Sequence, residues 1–219
     1  MSAADGIASV RARIASACAR AGREVDDVTL VAVSKTFPAQ AVSEALDAGI
    51  TDVGENRVQE ARDKQPSVAA AARWHLIGHL QSNKAKDAVK LFDMIQTVDS
   101  VALAEKIARA ADSLGKRQEV LLQVNVGEEP QKSGAAANEV DSIVKAIGAM
   151  PSLHLRGLMA IPPAGTPEES RRSFRVLRAL RDGVGVEHLS MGMSEDFEVA
   201  IEEGATIIRV GRAIFGSRT

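Results

Sequence analysis

A continuous apolar, β-branched run, Val28-Thr29-Leu30-Val31-Ala32-Val33, passes through Ser34 and stops at a lysine, Lys35. A lysine at the end of a buried strand is the residue type from which imine chemistry is made. Desolvation disfavours the ammonium form, and a neutral amine attacks carbonyls to give Schiff bases. The alternative is a lysine that carries its charge out to the surface, and position alone leaves both readings open. A second group of residues could hold an anion. Ser190-Met191-Gly192-Met193-Ser194 offers hydroxyls and backbone donors, with a glycine allowing close approach, ahead of a predicted helix whose N-terminus favours negative charge. Gly211 and Arg212 would add backbone N–H groups from the next loop. Glu195 and Asp196 follow Ser194 at once and would repel a phosphate. They also suit the first turn of a helix, so they are expected to point away from the site. Ser194 can equally be a plain helix cap.

Other chemistry-bearing residues carry weaker signals. His75 and His79 stand four apart and could face one way, but zincin order is missing and no third metal ligand is evident. No metal site is expected. Gly115-Lys116 lacks the glycine spacing of a P-loop. Arg171, Arg175 and Arg178 form a basic stripe opposite Phe174, Leu177 and Leu180, which reads as the solvated face of an amphipathic helix. The single cysteine, Cys18, excludes an internal disulfide framework and fits a reducing compartment, the cytoplasm. A net charge of −2 gives no support for nucleic-acid binding, and no apolar run approaches the ~20 residues that span a bilayer.

These residues need elements to place them. Ile7, Val10, Ile14, Cys18 and Ala21 recur at helical spacing, predicting a helix over 4–22. Its arginines and alanines faintly suggest a transit peptide, but the buried face favours a structural helix. From there, strands are predicted over 28–34, 52–54, 74–78, 94–98, 119–126, 155–161, 188–191 and 206–210. Helices are predicted between them over 38–49, 57–64, 83–89, 101–114, 135–150, 167–182 and 195–203. The apolar runs are continuous rather than alternating, as parallel strands buried on both faces require. Eight strands alternating with helices point to a single (β/α)8 TIM barrel with an extra N-terminal helix, in one domain over 1–219. A doubly wound open sheet is the alternative. In a barrel, Lys35, the loop of Ser194 and the loop of Gly211 all stand at the C-terminal ends of strands, where barrel active sites lie.

Several blocks, taken together, carry a family resemblance. They are Leu30-Val31-Ala32-Val33-Ser34-Lys35-Thr36, Gly54-Glu55-Asn56-Arg57-Val58-Gln59-Glu60, Trp74-His75-Leu76-Ile77-Gly78-His79-Leu80-Gln81-Ser82-Asn83-Lys84, Lys132-Ser133-Gly134, Arg156-Gly157-Leu158-Met159-Ala160-Ile161-Pro162, the Ser190 to Ser194 stretch, and Ile208-Arg209-Val210-Gly211-Arg212-Ala213-Ile214-Phe215-Gly216. The sequence resembles the pyridoxal phosphate homeostasis protein family along nearly its whole length. The resemblance implies a barrel like the N-terminal domain of alanine racemase, with pyridoxal 5'-phosphate (PLP) held on Lys35 as a Schiff base. It implies that Arg209 faces the pyridine nitrogen and that Ser194, Gly211 and Arg212 hold the phosphate, the last two through their amides. It places Asn56 and His75 beside the ring.

Many PLP enzymes set a carboxylate at the pyridine nitrogen, which makes the ring an electron sink. A guanidinium only donates, so arginine there disfavours carbanion chemistry. Racemases of this fold also use a tyrosine from a second domain, and this chain contains no tyrosine. The expectation is a non-catalytic, monomeric protein that buffers PLP or delivers it to apo PLP-dependent enzymes. A racemase-type enzyme is the alternative. A Schiff-base aldolase on the same barrel leaves the pairing of phosphate cradle and Arg209 unexplained. Lys132 and Lys84 are the other lysines on which a PLP imine could form.

Overall fold

The computed structural model describes residues 2–127 and 133–216. Eight parallel strands lie side by side in chain order: β1 (Thr29–Val33), β2 (Asp52–Glu55), β3 (Arg73–Leu76), β4 (Met94–Val98), β5 (Gln118–Gln123), β6 (Leu153–Met159), β7 (His188–Ser190) and β8 (Ile207–Val210). β8 pairs back onto β1, setting Val31 against Arg209 and Ala32 against Val210. That closure makes the sheet a barrel and removes the open-sheet alternative. Helix α1 (Ala3–Ala21) precedes β1. Then α2 (Ala39–Asp47), α3 (Val58–Lys64), α4 (Ala85–Leu91), α5 (Val101–Ser113), α6 (Val140–Gly148), α7 (Pro167–Val184) and α8 (Phe197–Glu202) follow the strands in turn. A single turn, α9 (Arg212–Phe215), comes after β8.

The N-terminal helix completes the outer ring. Since α9 is only four residues long, the place outside β8 and β1 falls to α1, which packs on α8, α9 and α2. It starts with a capping box, Ser2 with Asp5, and ends on Gly22 at φ 64°. Ile7, Val10, Ile14, Ala17 and Cys18 are buried along one face, worth up to about 1.5–3 kcal/mol for each larger aliphatic side chain. The arginines tie the ring shut. Arg11 donates to the carbonyls of Ala48 and Gly49, Arg13 pairs with Glu198, Arg20 with Glu202, and Arg23 donates to the carbonyls of Ile201 and Ala205.

Some boundaries differ from the sequence expectation for local reasons. β5 ends at Gln123 because Val124 bridges to Ala135 and Asn125 donates to the Ala135 carbonyl. Ala135 is thereby taken out of the helix expected from 135, and α6 starts at Val140 after a one-turn lead-in. α8 starts at Phe197 because the Asp196 carboxylate accepts the Met193 amide in a turn. The arginine stripe of α7 is solvated only in part: Arg175 stays exposed, while Arg171 is largely covered. Arg171, Arg175 and Arg178 all reach Glu203, which is buried, and Arg171 also reaches Glu202.

Between sheet and helices lies the large apolar core. Inside the barrel the apolar layer is small: Val31, Met94, Leu121, Met159 and Ile207. Much of the remaining buried interior is polar, and that polarity leads to the site. Among the described residues no helix is long and apolar enough to cross a membrane.

Candidate functional site at the C-terminal mouth of the barrel

Side chains alternate along a strand. Val31 faces the barrel interior, Val33 at the end of β1 shares that face, and Lys35 follows two residues on, in the turn. The intervening Ser34 faces the other way, toward α3. Ser34 to Phe37 form a turn closed by the Phe37 amide on the Ser34 carbonyl, 3.0 Å. Lys35 is the second residue of that turn and is half-buried. Thr36 is the third, with φ 71°, the only positive φ outside glycine among the described residues. Phe37 meets Phe215 of α9 with ring centroids 5.1 Å apart, tying this turn to the loop after β8.

The neighbouring strand end brings Arg209 and Gly211. Arg209 is 3% exposed, deep for a guanidinium, and is held by Ser190 Oγ (2.6 Å) and the Ala160 carbonyl (2.9 Å). Among the described residues it forms no ion pair. Burial pushes it down to about 10, with the Asp196 charge opposing, so it stays charged at neutral pH. Gly211 approaches β1 closely: a Cβ there would stand 3.1 Å from the Val33 carbonyl oxygen. Gly192, at φ 91°, allows the loop after β7 to pass α8, where a Cβ would lie 2.5 Å from that of Ala200. The two loops are joined by Ser194, whose Oγ accepts the Ala213 amide of α9 at 3.3 Å. Ser194 therefore does not cap α8. Glu195 and Asp196 are accounted for as well. Glu195 pairs with the exposed Arg212 side chain, and Asp196 folds back on the Met193 amide.

Beneath this mouth a chain of hydrogen bonds crosses the barrel. Arg209 Nη1 donates to Ser190 Oγ, and Ser190 Oγ donates to Gln96 Oε1 at 2.6 Å. Gln96 Nε2 meets His75 Nδ1 at 2.8 Å, and His75 Nε2 meets Asp52 Oδ1 at 2.8 Å. A guanidinium only donates and a carboxylate only accepts. The direction of every link is thereby set, and His75 carries its proton on Nε2. Burial alone would raise the Asp52 carboxyl. Hydrogen bonds from His75 and Thr51, with the charge of Arg73, outweigh it and hold Asp52 below the ordinary range.

The structure thus gathers Lys35, Ser194, Arg209 and Gly211 around one mouth. Asn56 stands at the end of β2, half-buried, its carbonyl close against Gly78. His75 lies within the barrel with both ring nitrogens engaged. Arg212 is exposed, its side chain turned to Glu195. Lys84 is exposed on the turn before α4. Lys132 lies outside the described residues. His79 is exposed, apart from His75, and no group of three metal-ligating side chains occurs among the described residues. The sequence reading missed Asp52 and Gln96 of the chain. Their signal was a polar residue inside a strand that should be apolar on both faces.

The mouth residues suit a phosphorylated aldehyde. Half-buried Lys35, a buried guanidinium with no ion pair among the described residues, and a glycine that cannot carry a side chain without a shift stand at adjacent strand ends.

Comparison with known proteins points the same way. Residues 7–219 match the family model of the alanine racemase N-terminal domain. A Pseudomonas aeruginosa protein named pyridoxal phosphate homeostasis protein is 44% identical, with 98% of this chain and 95% of that protein aligned. The Escherichia coli protein of the same name is 41% identical, over 98% and 96%. Among solved structures, PipY of Synechococcus elongatus with PLP bound superposes with a TM-score of 0.85 at 39% identity, covering 98% of this chain and all of that one. An alanine racemase from Clostridium difficile shares the fold, with a TM-score of 0.73 at 16% identity over 98% of this chain and 57% of the racemase.

Proposed function

Because the chain belongs to the pyridoxal phosphate homeostasis protein family, built on the alanine racemase N-terminal domain, we propose that it binds pyridoxal 5'-phosphate and buffers or delivers it, without turning over a substrate of its own. When bound, the cofactor supplies an aldehyde that condenses with an amine. Lys35 would hold it covalently, and Ser194 with the amides of Gly211 and Arg212 would hold the phosphate. Asn56 would flank the ring, and His75 would support it from below.

The observation that carries the reading is Arg209. Its register partner is Val31, two positions ahead of Val33 and four ahead of Lys35 on the adjacent strand. A guanidinium beside the pyridine nitrogen can only donate to it, and so leaves the nitrogen unprotonated. That favours holding the ring over using it as an electron sink. The chain has no tyrosine to act as a second base. We place this activity in the reducing cytoplasm, in a single-domain monomer, with apo PLP-dependent enzymes as recipients.

Purified protein incubated with PLP will absorb in the visible range. Borohydride will fix the cofactor on the peptide carrying Lys35, and Lys35→Ala will lower affinity about a hundredfold. Fixation on Lys84 or Lys132 in the wild type would overturn the assignment. A racemase-type enzyme would instead exchange amino-acid α-protons with D2O rapidly at stoichiometric protein.

A further inference from the structure

Thr36 follows Lys35 directly and carries φ 71°. This is a costly conformation for a β-branched residue. Its side chain is exposed, so packing around that side chain does not impose the strain. The bonds to its backbone do. The Thr36 amide donates to Glu60 Oε2 at 2.9 Å, and the carbonyl of Ser34, at the start of the same turn, accepts from Lys64 Nζ at 2.8 Å. Glu60 and Lys64 lie one helical turn apart on α3, 3.7 Å from each other.

Lys64 is itself fixed from below. It donates to Glu55 Oε1 at 2.6 Å, and the same oxygen accepts Ser34 Oγ at 2.6 Å. Glu55 is fully buried, and its second oxygen has no partner among the described residues. The Lys35 turn is therefore gripped at two backbone groups by one helix, from the side of the sheet away from the barrel interior.

We propose that Glu60 and Lys64 are positioning residues that latch the strained Ser34 to Phe37 turn, so that α3 fixes where the Lys35 amine stands. Both side chains bond the backbone of the turn, at Thr36 and at Ser34. Their effect on cofactor capture runs through the backbone of Thr36 and Ser34. The latch rests on the reading of Lys35 as the cofactor-bearing lysine, and it gives that reading a means of release. Letting go of Glu60 frees a turn that is held against its own preference.

The test compares Glu60→Ala, Glu60→Gln, Thr36→Gly and the double variant Glu60→Ala/Thr36→Gly, with circular dichroism and thermal melting confirming the fold. One readout is the rate at which the variant captures PLP. The other is made on cofactor-free protein: the rate at which formaldehyde with cyanoborohydride labels Lys35, read by peptide mass. Glu60→Ala should slow PLP capture about tenfold, the scale expected when a reacting group is misplaced by a fraction of an ångström, and should change the labelling rate of Lys35 against other lysines. Glu60→Gln keeps an acceptor for the Thr36 amide and should restore both. Glycine tolerates positive φ, so Thr36→Gly should remove most of the Glu60→Ala defect. That non-additivity is something a merely stabilising ion pair would not produce. Unchanged rates in Glu60→Ala, or a double variant as slow as Glu60→Ala alone, would overturn the latch. Wild-type protein that fails to capture PLP would overturn the functional reading, while the labelling of Lys35 still decides the latch.

Discussion

Arg209 sits where a charge is expensive. Moving a guanidinium out of water is compensated only by good hydrogen bonds or a counter-charge. Its neighbours here are a serine hydroxyl and a carbonyl. The nearest carboxylate in its hydrogen-bond chain is Asp52, three side chains away through Ser190, Gln96 and His75. Ser190→Ala removes the first link and leaves Gln96 Oε1 without its donor. Hydrogen bonds to charged groups contribute about 1.5–3 kcal/mol, so this variant should unfold about 2 kcal/mol more easily. It should also bind PLP about tenfold more weakly, because Arg209 is then held at one nitrogen only. Chemical denaturation and a PLP titration measure the two effects, and a variant with wild-type affinity would show that Ser190 does not orient Arg209. That Lys35 and Arg209 stand at neighbouring strand ends was legible in the sequence, because each closes or lies in an apolar strand run. Gln96 was not, because its partners come from β3 and β7, far away in sequence. Nothing local in Met94-Ile95-Gln96-Thr97-Val98 says which face Gln96 occupies. Ser194 was half legible. Its place beside Gly211 was foreseen, but its bond to Ala213 depends on α9, a turn too short to show helical periodicity.

At the scale of elements, the N-terminal helix links the ring to the mouth. Gly6 of α1 lies against the backbone of α9. A Cβ there would stand 2.4 Å from the Ile214 carbonyl oxygen and 2.9 Å from that of Ala213. Those atoms are main chain and cannot swing aside, so Gly6→Ala must push α1 and α9 apart. Overpacking of this kind costs about 1–3 kcal/mol, a fall in Tm of roughly 2–12 °C for a chain of this size. α9 also carries the Ala213 amide that binds Ser194 and the Phe215 ring that meets Phe37. Gly6→Ala should therefore weaken phosphate or PLP binding as well as lower Tm, although residue 6 is outside the mouth. Calorimetry of inorganic phosphate binding together with a thermal scan separates the two effects. Destabilisation with unchanged affinity would mean that α9 is positioned by β8 alone. The sequence announced α1 clearly through its apolar face. It did not show that α1 substitutes for the missing eighth outer helix. That follows only from closure of β8 onto β1 and the brevity of α9. The α7 arginines were read in part for a related reason: their partners are Glu202 at the end of α8 and Glu203 just past it, and a single-helix pattern does not show that a solvated stripe also reaches a neighbouring element.

Across the whole molecule, the barrel interior holds a continuous polar chain beside a small apolar cluster, with the carboxylate of Asp52 at one end and the guanidinium of Arg209 at the other. Such a column couples the fold to pH through Asp52. Its carboxyl is held below the ordinary range in the folded protein, so the unfolded chain binds the proton more readily. The stabilisation is therefore fully present above the unfolded pKa of about 4 and is lost as pH falls through the lower folded value. Burial works against this shift, and the bonds from His75 and Thr51 overcome it. Asp52→Asn can still accept from His75 Nε2 but carries no charge. It should be less stable than wild type at pH 7 by about 1–2 kcal/mol, since a neutral hydrogen bond replaces charge-assisted ones. On acidification below about pH 4 the wild-type curve should fall toward that of the variant, and the gap should narrow. Other carboxylates, Glu203 among them, are likewise held below their ordinary range, but they are common to both proteins and cancel in the difference. Urea denaturation of the pair at pH 7 and pH 3 makes the measurement. A gap that stays constant would mean that the Asp52 charge contributes nothing to the fold, and that the polar column is held by hydrogen-bond geometry alone.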